Sequence, residues 1–241
     1  GFSNVSGTGT IDLQSGSIFE ISSGNGTTIG GSLVVNNYSN CNFTGTDVFR
    51  LSGTARFNNK SGGFFNWNTD ANISFEGTEN QFVNEGTIVI DGIGGFLNDG
   101  VSPVITNTGL INRQGGLGTF VITDNPDLTF NSTGAITINV GTVVINGPGT
   151  HAGDITVQSE STLLGSGVFE YEGNSLVNNG EINFADFIFS GTSEQTVTGI
   201  GTITNLNINN PEGVSLMDVG TLFSGGGSDQ IVTSSLTLSQ G

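Results

Sequence analysis

The sequence predicts an all-β protein, a right-handed parallel β-helix of roughly ten coils of about 22–23 residues each. Three observations carry that expectation. Thr, Val, Ile and Phe stand in alternating patterns along the chain, while helix-favouring residues are thin. A phrase, Gly-x-apolar-x followed usually by a second apolar residue, recurs nine times. Between its copies lies another alternating phrase, so each period holds at least two short strands bounded by Gly, Asn, Ser and Asp.

In chain order the first phrase reads GTIDL from 9, GSLVV from 31, GTARF from 53, GTIVI from 86 and GLINR from 109. It continues as GAITI from 134, GDITV from 153, GEINF from 180 and GTITN from 201. Successive glycines are 22, 22, 33, 23, 25, 19, 27 and 21 residues apart. The long interval contains FFNWNTDANISFEGTENQ and reads as an enlarged coil with an insert around 58–82. The second phrase reads SIFEIS (17–22), DVFRLS (47–52), GVFEYE (167–172) and DFIFSG (186–191).

Alternation then places Ile11, Leu33, Ala55, Ile88, Ile111, Ile136, Ile155, Ile182 and Ile203 in one inward column, stacked at about 4.8 Å per coil. The glycine before each strand permits the backbone that turns the corner. Asn84, Asn107 and Asn178 stand two residues before their glycines, the offset at which a buried, hydrogen-bonded asparagine ladder would form.

Charge narrows the function classes. Twenty-one acidic residues face four basic ones (Arg50, Arg56, Lys60 and Arg113), a net charge of −17. Nucleic-acid binding needs a basic surface, and so does attraction to an anionic membrane. No run approaches the ~18–20 apolar residues of a membrane span, so no membrane insertion is expected. The single cysteine, Cys41, excludes an internal disulfide and reads as a small core hydrophobe. With no initiator Met or signal peptide and an untapered end at LTLSQG, residues 1–241 read as one solenoid segment of a longer polypeptide.

The β-helix also serves polysaccharide lyases and hydrolases, which gather several carboxylates, with a base or calcium, on one face. Glu85, Asp91, Asp154, Glu170, Glu172 and Glu181 fall at different offsets from the repeat glycine. No catalytic residue and no enzyme activity is therefore expected; a polysaccharide-binding or polysaccharide-cleaving protein is the alternative. The lone histidine, His151 in GPGTHAG, reads as a surface turn residue. No cofactor or metal site is predicted. GGGSDQ (225–230) and DGIGG (91–95) are compatible with calcium but do not require it.

An ice-binding solenoid is a further alternative, although in the aligned strand only GTITN is Thr-x-Thr. Phe64, Phe65 and Trp67, in the long interval, admit two readings. Either they fill the core, or they form a ledge for sugar stacking or protein contact, and they are the candidate binding residues.

The run GIGTITNLNINNPEGVSLMDVG, closing on LTLSQG at 241, resembles the repeats of large secreted surface proteins of Bacteroidota. More distantly it is similar to haemagglutinin-type and autotransporter adhesins. The resemblance implies a giant exported adhesin or filament protein, extracellular and at the cell surface, with this segment as one rod-like part. The partners it implies are other coils of the same long chain, a homo-oligomer or fibre, and a cell-surface glycan or protein ligand. It brings no catalytic residues with it.

Overall fold

Short apolar-polar alternations interrupted by Gly, Asn and Ser make strands of about one side's length, so the chain turns after each and closes a three-sided coil. The computed structural model describes residues 4–22, 24–124, 126–219, 222–225, 228–231 and 237–238. Its strands from Asn4 to Gly225 stack in parallel, turn upon turn, as a β-helix, and the last two described strands, Ser228–Ile231 and Thr237–Leu238, pair antiparallel with the strands below them.

One side, face B, is formed by Ile18–Ile21, Asn40–Phe43, Phe64–Trp67, Thr87–Ile90, Leu110–Arg113, Ala135–Ile138, Ile155–Val157, Ser175–Asn178, Gln195–Gly199 and Val214–Val219. These ten described strands are mutually parallel, so nine turns separate the first from the last. At ~4.8 Å per strand that stack is about 43 Å long.

Face C follows B in each turn and runs through Phe49–Leu51, Ile73–Phe75, Phe96–Asn98, Thr119–Thr123, Gly141–Ile145 and Ser161–Leu164. Face A comes next, with Arg56–Asn59, Gln81–Asn84, Val104–Asn107 and Thr129–Ser132. It then narrows to single-residue bridges at His151 before resuming at Val168–Tyr171. Four long strands, Asn4–Leu13, Thr27–Asn37, Glu181–Phe189 and Thr202–Ile208, cross from C to A without a break.

Inward positions are apolar and heavily aromatic. Phe57 stacks on Phe82 with centroids 5.2 Å apart, and Trp67 meets Phe96 and Phe120 edge-on at 5.2 and 4.9 Å. Cys41 belongs to this core, and burial raises its thiol pKa, with Glu20 adding to the effect. Such dry packing accounts for most of the cohesion between turns.

The repeat phrase marks a corner, not a face. Ile88, Ile111, Ile136 and Ile155 do form one column on face B, but it continues through Leu176 and Val197 rather than through Ile182. Ile182 and Ile203 pair with each other on face C. Leu33 and Ala55 lie beside face A, and Ile11 pairs with Val35, two residues out of the expected alignment. The expected single column of nine is thus four columns. The physical reason is that all three corners make the same demand on the backbone.

The same reasoning removes the insert around 58–82. Strands Arg56–Asn59, Phe64–Trp67, Ile73–Phe75 and Gln81–Asn84 occupy faces A, B, C and A in regular register. The turn from Asn59 to Asn84 is 25 residues, equal to that from Asn107 to Ser132. The interval looks long because Gly53 turns the C–A corner and Gly86 the A–B corner. The glycine that belongs beneath Gly86 is Gly63.

Candidate functional site

The A–B corner is the most elaborated part of the molecule. Gly63, Gly86, Gly109, Gly134, Gly153 and Gly173 stack there, and a Cβ on any of the last five would fall on the carbonyl oxygen of the glycine one turn below. Two residues before most of these glycines sits a buried polar side chain. Asn37 donates Nδ2–H to Asn59 Oδ1 (2.8 Å), Asn59 to Asn84 (2.8 Å), Asn84 to Asn107 (2.7 Å), and Asn107 to Ser132 Oγ (3.0 Å).

Each Nδ2 also donates to a face-B carbonyl: Phe64, Thr87, Leu110 and Ala135 respectively, at 3.0 to 3.4 Å. A carbonyl can only accept, so these bonds orient every amide the same way. All four asparagines are fully buried. The ladder satisfies backbone groups that a sharp corner would otherwise strand in the core.

Asn84 and Asn107 are therefore rungs as expected, and Asn37 and Asn59 extend the ladder below them. Asn178 is not a rung of this ladder. It lies at the B–C corner, where it pairs in register beside Val157, accepts from Gly180 N (3.2 Å) and donates to Thr202 O (3.0 Å). It performs the same local task for Gly180 and Gly201, which stack at that corner.

Above Ser132 the A–B corner column continues with His151 and Tyr171. His151 is buried, contrary to its expected surface position, because it holds the inward position of this column, two residues before Gly153. Its ring stacks on Phe169 at 4.1 Å and 4°, and burial lowers its pKa to about 4. Tyr171 donates to Ser175 O (2.5 Å), and burial together with Asp154 raises its pKa well above the ordinary phenol value. Amides then resume: Gln195 donates to Tyr171 O (2.9 Å) and Gly173 O (2.8 Å), and Asn210 donates to Gln195 Oε1 (2.9 Å).

Arg113 occupies an inward position on face B and is fully buried. It donates to Gly92 O (2.5 Å), Gly116 O (2.8 Å) and Gly118 O (3.0 Å), and its guanidinium lies 5.7 Å from the Phe120 ring centroid. Burial lowers its pKa, with Asp91 and Asp70 working in the opposite direction. Like the asparagines it ties a corner by its carbonyls, here between faces B and C.

The proposed aromatic ledge does not exist. Phe65 and Trp67 are fully buried, and Trp67 donates Nε1–H to Ala71 O at 3.1 Å. Only Phe64 points outward, 44 % exposed. Strand alternation explains the split, since Gly63-Phe-Phe-Asn-Trp obeys the same phrase as the other corners.

What the fold offers a partner is its outer columns. On face B, Glu20, Asn42, Asn66, Val89, Asn112, Thr137, Thr156, Val177 and Thr198 are consecutive register partners. Asn42 donates to Glu20 (2.6 Å) and Asn66 to Asn42 (2.8 Å), an outer counterpart of the buried ladder. Face C carries a second array, Thr119, Thr142 and Thr162 in one column with Val121, Val144 and Leu164 beside them.

Ion pairs join Arg50 to Glu76 (2.9 Å) and Lys60 to Glu85 (2.7 Å) across adjacent turns. Among the described residues no three His, Cys, Asp or Glu side chains are grouped to hold a metal ion, and no helix is long and apolar enough to cross a membrane. Asp91 of DGIGG stands exposed at the B–C corner; GGGSDQ and the terminal LTLSQG lie partly outside the described residues. The chain matches no protein-family model, no curated protein and no solved structure.

Proposed function

We propose that this chain is a structural and adhesive module of a large extracellular surface or filament protein, a stiff rod that presents a binding or self-association surface. The observation that carries the reading is the register of face B, held over nine turns by backbone pairing between neighbouring strands. A solenoid resists bending because each turn is bonded to two others, and it sets outward side chains in straight columns. The net charge of −17 favours solubility and directs the choice of ligand toward neutral or cationic surfaces.

Glycan arrays and immobilised cell-surface proteins, probed with the purified chain, test the reading. Binding is expected, and Asn66→Lys with Thr137→Lys should diminish it without loss of fold. Release of new reducing ends or unsaturated sugars from a polysaccharide would replace the reading with the enzymatic one.

One feature favours a second reading, ice binding. The Thr119–Thr142–Thr162 column beside Val121–Val144–Leu164 makes an uncharged patch of hydroxyls and methyls at the ~4.8 Å strand spacing. If that patch orders ice, the chain inhibits ice recrystallisation and Thr142→Lys abolishes the effect.

A further inference from the structure

We propose that the turn containing His151 is an acid-labile joint in the rod. Four separate features of that turn converge. Face A, a strand in every turn from Arg56–Asn59 to Thr129–Ser132, is reduced there to the two bridges Ser132–His151 and His151–Tyr171. The turn is also short: residue 151 lies 19 positions after 132, whereas the preceding rungs are 22, 25, 23 and 25 apart. The asparagine ladder ends immediately below, where Ser132 Oγ turns aside to donate to Gly134 O (3.0 Å). Finally, His151 is only 3 % exposed and its Nδ1 has no hydrogen-bond partner.

The surroundings suit a neutral ring and not a cation. Phe169 lies flat against the imidazole and Phe130 is 5.3 Å away. The strand below, Thr129–Ser132, carries no charge, and neither do Gly141–Ile145 and Ser161–Leu164 on face C. The strand above contributes Glu170, which is exposed, and Tyr171, whose hydroxyl is committed to Ser175 O. Glu172 reaches the histidine through its backbone N–H on His151 O (2.8 Å). Asp127, Asp154, Glu160, Glu181 and Asp186 are the other acidic residues of the neighbouring segments; all are exposed except Asp186, which is half-buried.

A proton on Nδ1 would be a buried donor with no acceptor, and contact with two Phe rings returns only part of the lost hydration. Opening the turn restores that hydration. The histidine pKa is about 4 in the folded chain and about 6.5 when exposed, so the unfolded form binds the extra proton between those values. Stability of the joint is complete above pH 6.5, falls as pH drops toward 4, and is level below. The limit well below pH 4 is roughly 300-fold, tenfold for each unit of pKa shift, and between pH 7 and pH 4 the opening equilibrium rises roughly 100-fold.

Hydrogen exchange between pH 7 and pH 4, corrected for intrinsic rates, tests the joint. The opening constant of amides in 147–157 should rise by that factor, while amides in 104–113 change little. In His151→Phe, which keeps the stacking and cannot titrate, the rise should vanish. An equal rise in both chains, or one spread evenly along the rod, would overturn the proposal. Should the variant fail to fold, the NMR titration of the single histidine in the unaltered chain decides: a midpoint near 4 supports the joint, and one near 6.5 refutes it.

Discussion

Replacing Asn84 with alanine lowers stability by about 3 kcal/mol, measured by denaturant unfolding of the whole chain. The substitution removes one rung and injures two others. Asn107 Oδ1 loses its Asn84 donor, Asn59 Nδ2 loses an acceptor, and Leu110 O loses the bond that tied face B to the corner. Each group left unsatisfied in a dry interior costs about 1–3 kcal/mol. Asn139→Ala is the matched control. Asn139 donates to Asn112 Oδ1 at the same 2.8 Å, but on the outer surface, where water replaces the partner. Its loss should shift stability by no more than about 0.5 kcal/mol. A ladder of equal geometry is worth different amounts inside and outside because the alternative to the bond differs.

Gly109→Val should be at least as damaging, about 3 kcal/mol or more, or should prevent folding altogether. The would-be Cβ falls on Gly86 O, the acceptor of the Leu110 N–H bond at 2.9 Å. Steric relief therefore breaks the inter-turn bond that defines the corner. The oxygen is backbone and the Cβ is fixed by the backbone, so no rotamer change can relax the clash. Gly167→Ala provides the contrast, since its nearest neighbour would be Asn146 O at 3.8 Å, an ordinary contact. That substitution should leave stability within about 0.5 kcal/mol. A thermal-unfolding series across both glycines separates corner constraint from general loss of backbone freedom.

The coil was legible in the sequence because its corners are written in one local dialect. VNEG, TNTG and VNNG place an asparagine two residues before a glycine, and at Asn84, Asn107 and Asn178 the structure puts that asparagine in the core beside the corner. What such a phrase cannot encode is which corner it turns, since a glycine under a neighbouring carbonyl suits A–B and B–C alike. Hence Asn178 and Ile182 were aligned with residues of other columns.

Asn37 and Asn59 were missed for another reason. Asn59 is followed by Lys-Ser-Gly before Gly63, so the two-residue offset fails. The repeated pair Asn36-Asn37 and Asn58-Asn59, 22 residues apart, was the available signal. Ser132, His151 and Tyr171 do keep the offset, before Gly134, Gly153 and Gly173. Reading the column by position and not by residue type would have put the histidine inside. Arg113 was likewise inward by alternation, and its charge concealed that. Phe65 and Trp67 follow the same alternation into the core, which leaves the outer columns, not an aromatic ledge, as the surface to probe.

Those outer columns depend on register, and a disulfide pair reads register directly. Asn66 and Val89 are partners on face B, at the strand spacing of ~4.8 Å, inside the Cα range a disulfide accepts. Arg56 and Val89 would be neighbours if every Gly-x-apolar phrase shared one column, but Arg56 pairs with Gln81 on face A. With Asn66→Cys/Val89→Cys and Arg56→Cys/Val89→Cys prepared side by side, mild oxidation and peptide mapping give the answer. The three-faced coil predicts rapid, nearly complete crosslinking of the 66/89 pair and none of the 56/89 pair; crosslinking of 56/89 in preference to 66/89 would contradict it.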